Sequence, residues 1–137
     1  MPTEAPDLRI AIMRLARRLR NERADDTMTP SQMAVLGTLV RRGPLPPGEL
    51  AAAERVQPPS MTRILNSLQA AGMVTRAPHP TDRRQVLYAA TAEARAMVLR
   101  DRQRRDHWLA HRMAELTPQQ RAALEAAVPI LDGLARD

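Results

Sequence analysis

Pro58-Pro59-Ser60-Met61-Thr62-Arg63-Ile64-Leu65-Asn66-Ser67-Leu68-Gln69-Ala70-Ala71-Gly72 is the stretch on which the fold turns. Met61, Ile64, Leu65 and Leu68 recur at i, i+3, i+4 and i+7, which places one apolar stripe along one face of a helix. Two prolines open the run, where a missing N–H costs little, and Gly72 closes it. Just upstream, roughly from Pro47 to Arg55, a shorter helix is expected, with Leu50 and Ala51 as its apolar anchors. Helix, short turn, helix is the outline of a helix-turn-helix.

The flanks extend this outline in both directions. Thr29, Pro30 and Gln32 stand as N-cap, first and third helical residues, a capping box. Met33, Leu36 and Val40 follow on one face, with Val35 and Leu39 beside them, until Gly43-Pro44. Further upstream, Leu8, Ile12, Leu15 and Leu19 line one face of an N-terminal helix otherwise rich in Arg. Downstream of Gly72 the period changes. Met73–Arg76 and Gln85–Ala89 are short β-prone runs around the charged tip Ala77–Arg84, and they predict a β-hairpin, the wing of a winged helix-turn-helix. Thr91 caps a long helix reaching Glu115, with Met97, Val98, Trp108, Leu109 and Met113 among its apolar positions. Thr117, Pro118 and Gln120 repeat the capping box. The last helix carries Leu124, Val128, Leu131 and Leu134 on one face, and Pro129 predicts a kink in it. The expected fold is mainly α with a small β-hairpin. One domain spans 1–137, with a winged helix-turn-helix lobe at 29–90 and flanking dimerisation helices at 1–28 and 91–137.

Composition narrows the function. The formal charge is +6 and the sequence pI about 11.4. An anionic partner follows, nucleic acid first and a membrane surface second. All 21 basic residues are Arg, the side chain better suited to phosphates and base edges. Aromatic residues make up 1% of the chain, which argues against single-strand binding by base stacking. There is no Cys, hence no disulfide framework, Cys-ligated zinc finger or thiol switch. No long apolar run is present, and Glu4 and Asp7 stand where an export signal carries basic residues. A cytoplasmic protein without a membrane span is expected. The charge is not concentrated on the helix-turn-helix: residues 44–90 hold five Arg against three acids. Position, not net charge, singles out the reading residues.

The ordered set Ser60-Met61-Thr62-Arg63, Leu68-Gln69-Ala70-Ala71-Gly72-Met73-Val74 and Asp82-Arg83-Arg84, placed between these helices, resembles the MarR family of bacterial transcriptional regulators. The resemblance covers nearly the whole chain. It implies a homodimeric winged helix-turn-helix protein on a palindromic operator in double-stranded DNA, commonly a repressor released by a small anionic or aromatic effector. It also implies that the terminal helices build the dimer. The residues agree independently, since the faces Leu8/Ile12/Leu15/Leu19 and Leu124/Val128/Leu131/Leu134 need burial, and a second copy is the simplest partner.

The DNA-contacting set follows from the helical wheel. With the apolar stripe inward, Pro59, Arg63, Asn66 and Ala70 face outward, with Ser60, Thr62 and Ser67 at the edges. Arg63 suits guanine and Asn66 adenine. Ser60, Thr62 and Gln57 suit phosphates or base edges, and Pro59 lies among them. At the wing, Arg83 and Arg84 suit a narrow minor groove. Asp82, two residues before Arg84, is expected on the same side of a strand and able to hold its guanidinium. The resemblance assigns the same support role to Asp82. His79 is expected to be solvent-exposed at the tip.

Other residue groups are weaker candidates. His107, His111 and Glu115 recur at i, i+4 and i+8, a spacing that can chelate zinc, with Asp25 and Asp26 as conceivable further ligands where the chain also carries Arg41 and Arg42. A zinc-responsive regulator is therefore one alternative, and a helical interaction protein without DNA another. Met13, Met28, Met33, Met97 and Met113 read as core before a ligand pocket, and Trp108 as a packing anchor. No nucleophile elbow, phosphate loop, carboxylate cluster or Cys/His pair is present, so neither an enzyme nor a cofactor is expected.

Overall fold

Three threonine caps organise the chain in a computed structural model that describes residues 4–23 and 27–136. Thr29 accepts from Gln32 N while the Gln32 side chain accepts from Thr29 N, and this box opens α2 (Pro30–Arg42). Thr117 and Gln120 do the same for α6 (Pro118–Leu134). Thr91 caps α5 (Ala92–Ala114) by accepting from Ala94 N at 3.2 Å, while its hydroxyl donates to the Gly72 carbonyl at 2.9 Å. The remaining helices are α1 (Ala5–Asn21), α3 (Pro47–Glu54) and α4 (Pro58–Ala70). The N-caps of α3 and α4, Pro46 and Gln57, make no side-chain cap bond. Both helices open on proline, which leaves fewer amides to satisfy.

The strands β1 (Val74–Pro78) and β2 (Val86–Ala90) form one antiparallel hairpin, with Val74 opposite Ala90 and Pro78 opposite Val86. The pairing starts one residue later on each run than the sequence suggests, because Met73 turns into the core below Gly72. Gly72 has φ +76, a left-handed value that favours glycine. Leu45 adds a single bridge to Tyr88, with reciprocal bonds of 3.1 and 2.9 Å, and pins the hairpin to the α2–α3 connection. Helix, turn, helix and hairpin in this order make a winged helix-turn-helix.

Among the described residues, every buried apolar side chain lies between Val35 and Val98. Leu36 and Leu39 of α2, Leu50 of α3, and Met61, Leu65 and Leu68 of α4 are fully buried at the centre of the core. Met97 and Val98 of α5 and Tyr88 of β2 complete it. Neither α1 nor α6 contributes a buried residue. Of the eleven large apolar side chains that stay exposed among the described residues, ten belong to these two helices. α1 rests on α5, where Arg105 Nε donates to the Leu19 carbonyl at 3.2 Å and Arg18 stacks over Trp108 at 4.8 Å. α6 makes no more than glancing contact with the rest of its own chain, and it runs through Pro129 as one continuous helix.

Two expectations change here. Leu19 is half-buried against α5 rather than sharing the free face of Leu8, Ile12 and Leu15, and Ile10 and Met13 join that face instead. The methionines divide: Met97 is core, Met28 and Met33 pack against it, and Met13 is exposed. Trp108 is half-buried under Arg18. No helix among the described residues is long and apolar enough to cross a membrane.

Candidate nucleic-acid interface

The surface of α4 opposite its buried stripe carries Pro59, Arg63, Asn66 and Ala70, all exposed, with Thr62 and Ser67 beside them. Ser60 is half-buried. Pro58 and Pro59 remove two of the amides that a helix N-terminus ordinarily offers to an anion, and Met61 N already bonds to Gln57 O at 3.1 Å. Ser60 N is thus the amide that α4 can turn toward a phosphate. The side chains divide by what they already hold. Thr62 donates back to the Pro58 carbonyl at 3.1 Å. Arg63 Nη2 lies 3.4 Å from Ser60 Oγ, so its guanidinium is drawn toward the helix start, the end that reads base edges in such a helix. Asn66 and Gln57 are exposed one turn to either side of this region.

Ser67 makes a link that the sequence did not reveal. Its hydroxyl donates to Ile64 O at 2.7 Å and accepts from Gln32 Nε2 at 2.9 Å. The same Gln32 completes the capping box, so the first turn of α2 and the outward edge of α4 are held in one register. Nothing in residue spacing could have paired positions 35 apart.

The wing tip is built differently from expectation. Asp82 and Arg84 do not lie in a strand; they occupy a tight turn closed by Gln85 N to Asp82 O at 3.1 Å. Asp82 Oδ1 accepts the backbone N–H of Arg84 at 3.1 Å and lies 3.5 Å from its Nε. The two residues meet because an Asp at the head of a turn bonds the backbone two residues on, not because of strand alternation. Arg83 and Arg84 both project outward, the Arg84 side chain 94% exposed.

His79, expected to be a bystander, organises the same turn. It is half-buried, and its Nδ1 accepts from Thr81 N at 3.2 Å and Asp82 N at 3.0 Å. Accepting two N–H groups requires a bare Nδ1, so the neutral ring carries its proton on Nε2. The His79 backbone N–H bonds in turn to Gln85 O at 3.1 Å.

A cleft of about 360 Å³ opens between α1, α2 and α5. Leu19, Met33 and Val98 supply apolar wall, and five arginines, Arg20, Arg23, Arg41, Arg102 and Arg105, supply charge, with no carboxylate among the described lining residues. Arg23 Nη1 donates to Met28 O at 3.2 Å, and Arg105 is held by Leu19 O. Five cations around one cavity repel each other, so an anion inside it would be stabilised. The sequence hid this site because its arginines come from three separate helices and the segment that follows α1.

His107 and His111 are exposed on α5, and among the described residues no three His, Cys, Asp or Glu side chains converge as a metal would need. Asp25 and Asp26 lie outside the described residues.

Comparison with known proteins places these features in context. Residues 28–86, the region from the α2 cap through the start of β2, match the model of the MarR family. An uncharacterized HTH-type transcriptional regulator of Mycobacterium bovis is 43% identical over 127 residues, covering 93% of this chain and 89% of that protein. One from Mycobacterium leprae is 42% identical over the same length. Among solved structures, RV1404 of Mycobacterium tuberculosis superposes with a TM-score of 0.86 at 26% identity, over 100% of this chain and 98% of that one. Wild-type MarR of Escherichia coli shares the fold at TM-score 0.77 and 24% identity, over 99% of each chain.

Proposed function

This chain belongs to the MarR family of transcriptional regulators, and on that premise we propose that it acts in the cytoplasm as a homodimeric repressor bound to a palindromic operator. It is a transcriptional regulator and not an enzyme. The observation that carries the DNA reading is the outward face of α4, where Arg63 and Asn66 stand exposed opposite a stripe buried in the core. α4 enters the major groove, where Arg63 meets a base edge or adjacent phosphate and Asn66 a base; Ser60, Thr62 and Gln57 take phosphates, with Pro59 packed against the backbone. Arg83 and Arg84 enter the neighbouring minor groove, with Asp82 holding the turn.

The dimer forms through the apolar faces of α1 and α6, which no element among the described residues covers. The recognition helices of a two-fold dimer then address half-sites about one helical turn apart, some 34–36 Å, or a multiple of it. A small organic anion with an apolar body, seated in the arginine-lined cleft, releases the DNA.

Genome-wide mapping of the bound DNA tests the reading. Recovery of an inverted repeat is expected. A folded protein with no enrichment of any duplex site would overturn it.

A further inference from the structure

We propose that the hydroxyl of Thr38 couples the arginine-lined cleft to the helix-turn-helix, and that an anion in the cleft acts by drawing Arg41 away from it. The inference rests on the reading of that cleft as the effector site and deepens it.

Thr38 is 2% exposed, one of two buried polar residues among those described. Its Oγ1 donates to Glu54 Oε1 and accepts from Arg41 Nη2 at 3.2 Å. A hydroxyl has one proton. Because that proton points to Glu54, the lone pairs face Arg41, and a chain runs from guanidinium through hydroxyl to carboxylate. Both bonds involve a charged group, and each polarises the other.

The far end of this chain is a sensitive point. Glu54 is the last residue of α3, where the helix dipole disfavours a carboxylate. Thr38 and, behind it, Arg41 offset that. The next residue, Arg55, has φ 54, the one non-glycine residue with positive φ among those described. This left-handed residue makes the turn from α3 into α4. The Arg41–Thr38–Glu54 chain therefore ties α2 to the strained turn that sets the direction of α4.

The near end is the cleft itself. Arg41 lines it, and Arg41 Nη1 lies 3.5 Å from where a side chain on Gly37 would begin, so the bare glycine leaves the guanidinium a lane along α2. Arg41 faces a neutral hydroxyl on one side and the cleft on the other. A carboxylate or phosphate entering the cleft offers it two charged oxygens, the stronger and bidentate partner. Once Arg41 turns to the anion, Glu54 loses its counter-charge at a helix end that disfavours it. The turn relaxes, and α4 leaves the register that the groove requires. The ligand shifts affinity because it has different contacts in the two states.

The test uses the full-length protein, benzoate and phenyl phosphate as probes, and a duplex selected by the wild type from a random pool. Probe binding to free protein is measured by calorimetry, and duplex binding by fluorescence anisotropy with and without saturating probe. Wild type should bind a probe and lose duplex affinity by about 10-fold or more. Thr38→Val keeps the shape and the cleft but removes the hydroxyl. It should bind the probe within about 3-fold of wild type while the probe shifts duplex affinity by less than about 2-fold. Thr38→Ser should restore the coupling. If Thr38→Val fails to fold, as judged by circular dichroism, Glu54→Gln takes its place, with the same expected loss of coupling. Full release of either variant by a bound probe overturns the relay and leaves the cleft reading standing. A wild type that binds neither probe overturns the cleft reading, and the relay with it.

Discussion

Asp82 Oδ1 sits 3.1 Å from the backbone nitrogen of Arg84 and 3.5 Å from its Nε, so one carboxylate oxygen addresses both the main chain and the side chain of the wing arginine. The ion pair itself is exposed, and such pairs contribute roughly 0–1 kcal/mol. The main-chain bond is the more informative half, because it fixes where the Arg84 side chain starts.

Two substitutions separate these halves. Asp82→Ala removes both interactions and one negative charge beside DNA. Charge alone predicts tighter binding; loss of the turn predicts weaker binding. We expect operator affinity to fall about 3- to 10-fold, corresponding to one lost hydrogen bond of order 1 kcal/mol. Asp82→Asn keeps an oxygen for Arg84 N–H without the charge and should bind at least as tightly as wild type. Anisotropy titrations at one fixed salt concentration check both, and tighter binding by Asp82→Ala would remove Asp82 from the wing's support.

His79 makes a parallel case. Its Nδ1 accepts two turn amides. His79→Ala leaves both without their acceptor, and duplex affinity should drop by about the same factor as for Asp82→Ala, since the lost bonds are of the same kind. His79→Asn carries a side-chain oxygen that can take over part of this role, and it should recover part of the affinity. Thermal stability should barely move in either variant, because the tip lies outside the core. Equal affinity for all three proteins would show the ring to be dispensable.

How far the sequence discloses all this depends on the range of the interaction. Helix starts at Thr29, Thr91 and Thr117 were readable because a cap and its amide are three residues apart. The buried stripe of α4 was readable from its period, and so was the outward position of Arg63. The Gln32–Ser67 bond, the Leu45–Tyr88 bridge and the Arg41–Thr38–Glu54 chain join distant segments, and no local pattern marks them. The wing shows a subtler limit: Asp82 and Arg84 were paired correctly but through strand alternation, whereas a turn brings them together. The role of His79 is illegible in the sequence because a ring that accepts backbone amides leaves no trace in residue spacing.

Arg63 and Arg84 should fail in different ways. Arg63→Ala is expected to cost about 1–3 kcal/mol and to relax base preference at one position of each half-site. Arg84→Ala should weaken binding to many sequences alike and lower the slope of log affinity against log salt by about one per site. Selection of duplexes from a random pool with each variant, followed by salt titrations, reads both effects. A specificity change from Arg84→Ala with none from Arg63→Ala would reverse the assignment of helix and wing.

The separation of core from terminal helices supports a final prediction. Every buried apolar residue among those described lies between Val35 and Val98, while α1 and α6 bury none. Deleting residues 121–137 removes Leu124, Val128, Leu131 and Leu134 but no residue of that core. The truncated chain should therefore lose assembly before it loses the winged helix-turn-helix, giving monomers, or aggregates through the now unmatched face of α1. Full-length Leu131→Asp tests the same face with α6 left in place. A carboxylate placed in an apolar interface has no partner and is costly to bury, so this variant should sediment as a folded monomer. Operator affinity should collapse in both, since one lobe reaches one half-site and loses the joint binding of two. Analytical ultracentrifugation beside anisotropy decides it. A Leu131→Asp protein that remains dimeric and binds its operator as wild type does would place the interface on some other surface.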